Sequence, residues 1–255
     1  MKTRPLAVTG LALVATLSFG VAGCNSDAGS TGGTGTGTET TPARSAADEL
    51  AAAAKKLNED TVKVAMSMSG MESSGAIDPA GNKGKMSLTM SGQGQSLKIE
   101  LLTLDNDIYM KMAGMPGMPD KWMRVDASKV KEGTTLDMMP KDDASGAGNL
   151  VNSMVDVERT GEGSFTGTMD MSKSRHANAE TLQQLGEKGK AIPFTAKTDA
   201  QGRLVEFTID MSSVLSSLGQ LKTTYSGFGD PVEVTKPAAS EVTEAPQALL
   251  DGFNI

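Results

Sequence analysis

Apolar and polar residues alternate with a period of two through much of the first half of the chain, and that period restricts the fold more than any other feature. Val62, Val64, Met66 and Met68 alternate with Thr61, Lys63, Ala65 and Ser67. Met86, Leu88 and Met90 alternate with Lys85, Ser87 and Thr89; Leu97, Ile99 and Leu101 continue the pattern, as do Ile108, Met110 and Met112. Successive side chains of a strand point to opposite faces, so the alternation predicts antiparallel strands with one apolar and one wet face. Asp78-Pro79-Ala80-Gly81-Asn82, Gly92-Gln93-Gly94 and Asp105-Asn106-Asp107 supply turn chemistry between them. The order predicts a meander.

Ahead of it, Ser45 followed by Asp48, Glu49 and an alanine run reads as an N-capped helix over residues 45–57. Leu50, Ala53, Ala54 and Leu57 fall on one face of that helix. After the loop 114–119, Lys121-Trp122-Met123-Arg124-Val125 is a short strand carrying the only Trp. Residues 127–148 are polar and weakly patterned, suited to a short helix or lid, with Asp142-Asp143 reading as a solvated loop. Residues 150–157 fit a helix end or a strand, Phe165, Met169 and Met171 restart strand spacing, and residues 177–188 read as a short helix. Residues 192–198 and 203–209 flank the turn Asp199-Ala200-Gln201-Gly202 as a hairpin, and a last strand lies near 221–225. Helix, strand run and helical inserts predict an α+β fold. A sheet this long with one apolar face must curl, close or be covered, and partial cover leaves a cavity.

The first 24 residues carry a different signal. Lys2 and Arg4 precede an apolar run over 6–21, which ends in Val21-Ala22-Gly23-Cys24. This is the three-part layout of a signal peptide, too short to span a bilayer as a stable helix. The closing tetrapeptide resembles the lipobox of bacterial lipoproteins, in which the cut falls before a cysteine that becomes acylated. Cys24 is the only cysteine in the chain, at the one position where lipidation would consume it. The Ser/Thr/Gly-rich stretch that follows can bury nothing and predicts a flexible tether. The expected organisation is a signal peptide over 1–23, a tether over 24–44 and a single domain over 45–255. Acyl chains on Cys24 contribute about 0.8 kcal/mol per buried methylene and would anchor the chain to a membrane without spanning it.

Charge narrows the partners. The formal net charge is -7, from 24 basic and 31 acidic residues, and cleavage removes Lys2 and Arg4 from the basic side. Such a chain gains nothing from counterion release, which excludes nucleic acid as an expected partner. With Cys24 acylated no disulfide is available, so packing must hold the fold. Aromatics are 4% of the chain whereas Met numbers 17. Methionine is flexible and polarisable, suited to filling core gaps or to a surface that remoulds around a ligand.

The lipobox at Cys24, the helix-then-meander order, Ile108-Tyr109-Met110-Lys111 leading to Lys121-Trp122-Met123-Arg124-Val125, and Tyr225-Ser226-Gly227-Phe228-Gly229-Asp230-Pro231-Val232 before Ala245-Pro246 together form a pattern. In that order they resemble the actinobacterial lipoprotein family typified by LppX, LprA, LprF and LprG, over most of residues 45–250. The resemblance implies a LolA/LolB-like fold, a strongly curved antiparallel half-barrel with helices on its concave apolar face. It also implies an apolar cavity for a lipid or glycolipid and a role in envelope lipid transport, with an envelope protein as a possible partner. The abundant Met and scarce aromatics depart from that family. Cavity-lining candidates from the sheet face are Met66, Met68, Leu88, Met90, Leu97, Ile99, Leu101, Met110, Met112, Phe194, Phe207 and Ile209, with ordinary core packing as the competing reading for each.

Two other classes compete. Met66-x-Met68-x-x-Met71 and Met110-x-Met112-x-x-Met115-x-x-Met118 resemble the methionine clusters of Cu(I)-handling proteins, although the apolar period already accounts for most of these positions. A surface protein with a filled core and a protein partner is the other. Catalysis has no support: His176 is the only histidine, and no Gly-x-Ser-x-Gly elbow or nucleophile–base spacing occurs. No cofactor is expected. The sequence favours a lipid-binding, non-enzymatic lipoprotein on the outer face of the cytoplasmic membrane.

Overall fold

The computed structural model describes residues 44–252 except positions 93, 131–138, 141–142, 176 and 178. The predicted leader, Cys24 and all of the tether before residue 44 lie outside the described residues, as does His176. Helix α1 (Ala46–Lys55) starts where its cap predicts: Ser45 Oγ accepts from the Asp48 N–H at 3.1 Å. Leu50, Ala53 and Ala54 form its inward face as the spacing predicts, and Leu57 continues that face from the 3-10 turn after it; all four are at most 2% exposed.

The strands follow as β1 (Val62–Met68), β2 (Met71–Asp78), β3 (Lys83–Gly92), β4 (Gln95–Leu104), β5 (Asp107–Ala113) and β6 (Trp122–Asp126). Helix α2 (Ala147–Ser153) leads directly into β7 (Met154–Gly161), so the ambiguous stretch is a helix and a strand in succession. Next come β8 (Ser164–Met169), α3 (Ala179–Leu185), β9 (Ile192–Thr198), β10 (Leu204–Asp210) and β11 (Gln220–Ser226). The short β12 (Val242–Glu244) and α4 (Gln247–Gly252) close the described chain.

All strands join one open sheet of 12 strands, ordered β12-β6-β5-β4-β3-β2-β1-β11-β10-β9-β8-β7. Two sequence expectations are corrected by this order. The sheet is mixed rather than wholly antiparallel, because β12 pairs parallel with β6. The strand near 221–225 is not the last, because the tail after it returns to the far edge of the sheet as β12. Strand β11 pairs with both β1 and β10 and so joins the meander β1–β6 to the run β7–β10.

Turn chemistry secures the crossing. Gly229 N–H donates to Thr61 O at 3.0 Å, Thr61 Oγ1 donates to Asp230 O at 2.6 Å, and Lys63 Nζ pairs with Asp230 at 2.6 Å. Phe228 packs on the core beneath the Arg203 guanidinium, 4.3 Å from its ring centre. The Tyr225-to-Pro231 run thus acts as a clasp between β11 and the start of β1. Farther on, Lys121 Nζ donates to Ser240 O at 3.1 Å, and Lys236 reaches Asp107 at 3.8 Å. Those contacts lay the tail across the wet face of β5, where Tyr109 is 1% exposed.

Candidate functional site

Strand register assigns every inward side chain to a row. One row runs Met68, Met71, Met90, Leu97 across β1 to β4. The next runs Phe207, Thr223, Met66, Ser73, Leu88, Ile99, Met112 from β10 to β5. A third runs Tyr225, Val64, Gly75, Met86, Leu101, Met110, Met123 from β11 to β6. Ile209 pairs with Phe194 in the same sense on β10 and β9. All twelve residues expected to line a cavity therefore share one face of the sheet.

They do not share one environment. Phe194 and Phe207 stack at 4.8 Å between ring centres and are each 2% exposed, enclosed with Leu50, Ala53 and Ala54 of α1 and Leu57 just after it. Met66 and Ile209 pack against that first cluster. Met110 and Met112 bury with Met123 in a second, smaller cluster, which Ile99, Leu101, Val130 and Leu249 flank. These residues are core. Between the two clusters, Met68, Met71, Met86, Leu88, Met90 and Leu97 belong to neither. Five of them are half-buried and Met90 is 37% exposed. Helix α1 covers one end of the face and the C-terminal segment the other, while among the described residues no element covers the strip over β1 to β4.

Two positions on the strip are kept small by β2. A Cβ on Gly75 would lie 2.3 Å from Lys85 O, and Ser73 Oγ donates to the Met86 sulfur at 3.0 Å. Met139, from the predicted lid segment, reaches onto β3, where a Cβ on Gly84 would meet its sulfur at 2.8 Å. The space bounded by Met139, Ile77, Gly84, Met86 and Leu101 has a volume of about 20 Å³. That is room for one water at most. Two larger hollows, of about 360 and 450 Å³, open mainly on the wet face, where Ser67, Glu72 and Thr89 line both.

Electrostatically the apolar face is quiet. Burial pushes the Tyr225 phenol up to about 12, so it stays neutral. The charges lie on the other face: Glu206 is held below the usual carboxylate range by hydrogen bonds from Lys197 and Lys222, at 2.8 and 2.7 Å. Arg124 Nε donates to Asp107 at 2.8 Å, and Tyr109 OH donates to the same carboxylate at 3.0 Å.

Asp143 departs from expectation. It is 3% exposed rather than solvated, and its carboxylate accepts from Asn58 Nδ2, Gly148 N–H and Asn149 N–H at 3.1, 2.8 and 2.9 Å. It caps α2 and ties it to the end of α1. Among the described residues no group of three His, Cys, Asp or Glu could hold a metal ion.

No protein-family model matches this chain. No curated protein matches it either. Among the described residues no helix is long and apolar enough to cross a membrane.

Proposed function

We propose that the chain is a lipid-anchored extracytoplasmic lipoprotein that holds a lipid or glycolipid on the apolar face of its sheet and performs no catalysis. The observation supporting this is the strip of Met68, Met71, Met86, Leu88, Met90 and Leu97, which shares a face with both packed clusters, joins neither, and is covered by no other element among the described residues. Apolar surface left in water forgoes about 25 cal/mol per Å², and a contiguous patch of this kind marks a binding surface. An acyl chain laid along it would recover about 0.8 kcal/mol per buried methylene. Four of the six strip residues are methionine, which adapts to a chain of varying shape.

An open face flanked by two covered ends also supports the finer fold reading, a LolA/LolB-like half-barrel. The enclosed space under Met139 is far too small for an acyl chain, so cargo would lie along the strip. Acylation of Cys24 would hold the domain on the outer face of the cytoplasmic membrane, with residues 25–44 as tether and an envelope protein as acceptor. A long-chain acyl probe with an environment-sensitive fluorophore tests this reading. Its fluorescence should rise on binding, and Leu88→Glu should weaken binding at least tenfold while the variant stays folded. Equal binding by parent and variant would sink it.

A further inference from the structure

We propose that Met68, Met71 and Met90 form a three-thioether site for Cu(I). Sequence spacing groups Met66, Met68 and Met71, and separately Met110, Met112, Met115 and Met118, but register regroups them. Met68 stands directly opposite Met71 across β1 and β2, and Met71 stands directly opposite Met90 across β2 and β3. Directly paired residues on one face have Cβ atoms about 4.5–5.5 Å apart. Each Met then has three rotatable bonds with which to bring its sulfur onto a common centre beside Met71.

The other group stays together but is filled core, with only Met115 left outside it. Met110 and Met112 are buried with Met123, Met118 packs against them, and Met115 is 38% exposed. A methionine used to fill a gap needs a packed surround, and Met68, Met71 and Met90 belong to no packed cluster. They stand at the end of the sheet beside the β1–β2 turn, where Met90 is 37% exposed. The frame around them is firm: Gly70 turns with φ +72°, and its carbonyl accepts from Ser91 N–H at 2.7 Å. That bond fastens the β1–β2 turn to β3 one residue beyond Met90.

Thioethers are soft, neutral donors, which suits a monovalent soft ion and disfavours Zn(II) and Cu(II). They carry no proton to release, so affinity should be level between about pH 5 and pH 7, unlike that of a His or thiolate site. Glu72 alternates to the opposite face and would not join the shell. The site does not depend on the carrier reading, and either stands without the other.

The test uses the full chain with Cys24→Ser, since a thiolate would itself take Cu(I). Titration with Cu(I) under ascorbate against a chromogenic chelator, with Ag(I) as the redox-inert probe, should give one bound ion per chain. Met68→Leu, Met71→Leu and Met90→Leu should each weaken retention at least tenfold, and Met110→Leu should leave it unchanged. Leucine keeps the volume, so folding is expected to survive and is checked by thermal unfolding. X-ray absorption of the copper-loaded parent, which needs no variant, should show a shell of sulfur alone. Loss of all copper to the chelator, retention by the triple Leu variant, or a nitrogen–oxygen shell would each overturn the site.

Discussion

Asp143 illustrates how one side chain can organise two elements. Its carboxylate holds two backbone donors at the start of α2 and the Asn58 amide beyond the end of α1. Asp143→Ala would leave those buried donors unpaired, at about 1–3 kcal/mol each before relaxation. Urea unfolding should accordingly report a loss of about 3 kcal/mol, and a loss within error of zero would contradict the assigned role. A second comparison separates core from strip. Leu57, 1% exposed, should cost about 3 kcal/mol when cut to Ala, whereas Leu88→Ala should cost about 1 kcal/mol. Equal costs would mean that Leu88 is packed like core. Leu57 was legible because the 3.6-residue period marks a buried helix face. Asp143 was not, since an acidic pair among Gly and Ser looks solvated and its partner Asn58 lies 85 positions away.

Elements end by a repeated device. Asp126, Asp170 and Asp210 close β6, β8 and β10, and each carboxylate accepts from the backbone N–H and hydroxyl of the Ser two residues on. The recurrence of Asp-Met-Ser at 170–172 and 210–212 was a signal that hydrophobic periodicity alone does not register. Hydrogen bonds from Ser128 and Ser172 hold the Asp126 and Asp170 carboxyls below their usual range, as Lys197 and Lys222 do for Glu206. A carboxyl lowered by folding contributes stability that is present above its unfolded value, about 4, and lost as pH falls through the folded one. The urea midpoint should therefore stay level down to about pH 5 and fall below about pH 4, with a shallower fall in Glu206→Gln. An unchanged acid slope in that variant would refute the assignment.

The same scale shows where strand reading stops. Strands β1, β3, β4 and β5 were visible because their inward positions are large and apolar. Strand β2 was hidden, because its inward row contains Ser73 and Gly75, small where neighbouring backbone and Met86 approach. Strand β7 was half-hidden, since its pairing with β8 shifts register between Val155 and Glu158. Strand β12 has only three residues, too few to establish a period.

For the whole molecule, alternation sufficed to put twelve named residues on one face of a single sheet, and the register agrees with it. What alternation cannot carry is how that face is covered. Cover depends on where α1, Met139 and the returning C-terminal segment dock, and those contacts join residues remote in sequence. Among the described residues the result is two packed ends and an open strip, the feature on which the carrier reading depends. The decisive measurement is native mass spectrometry of the domain starting after Cys24, purified without detergent from its own host and followed by organic extraction. The account predicts an acylated species bound to the parent and absent from Leu88→Glu. A clean apo mass that does not change when lipids are added would contradict it.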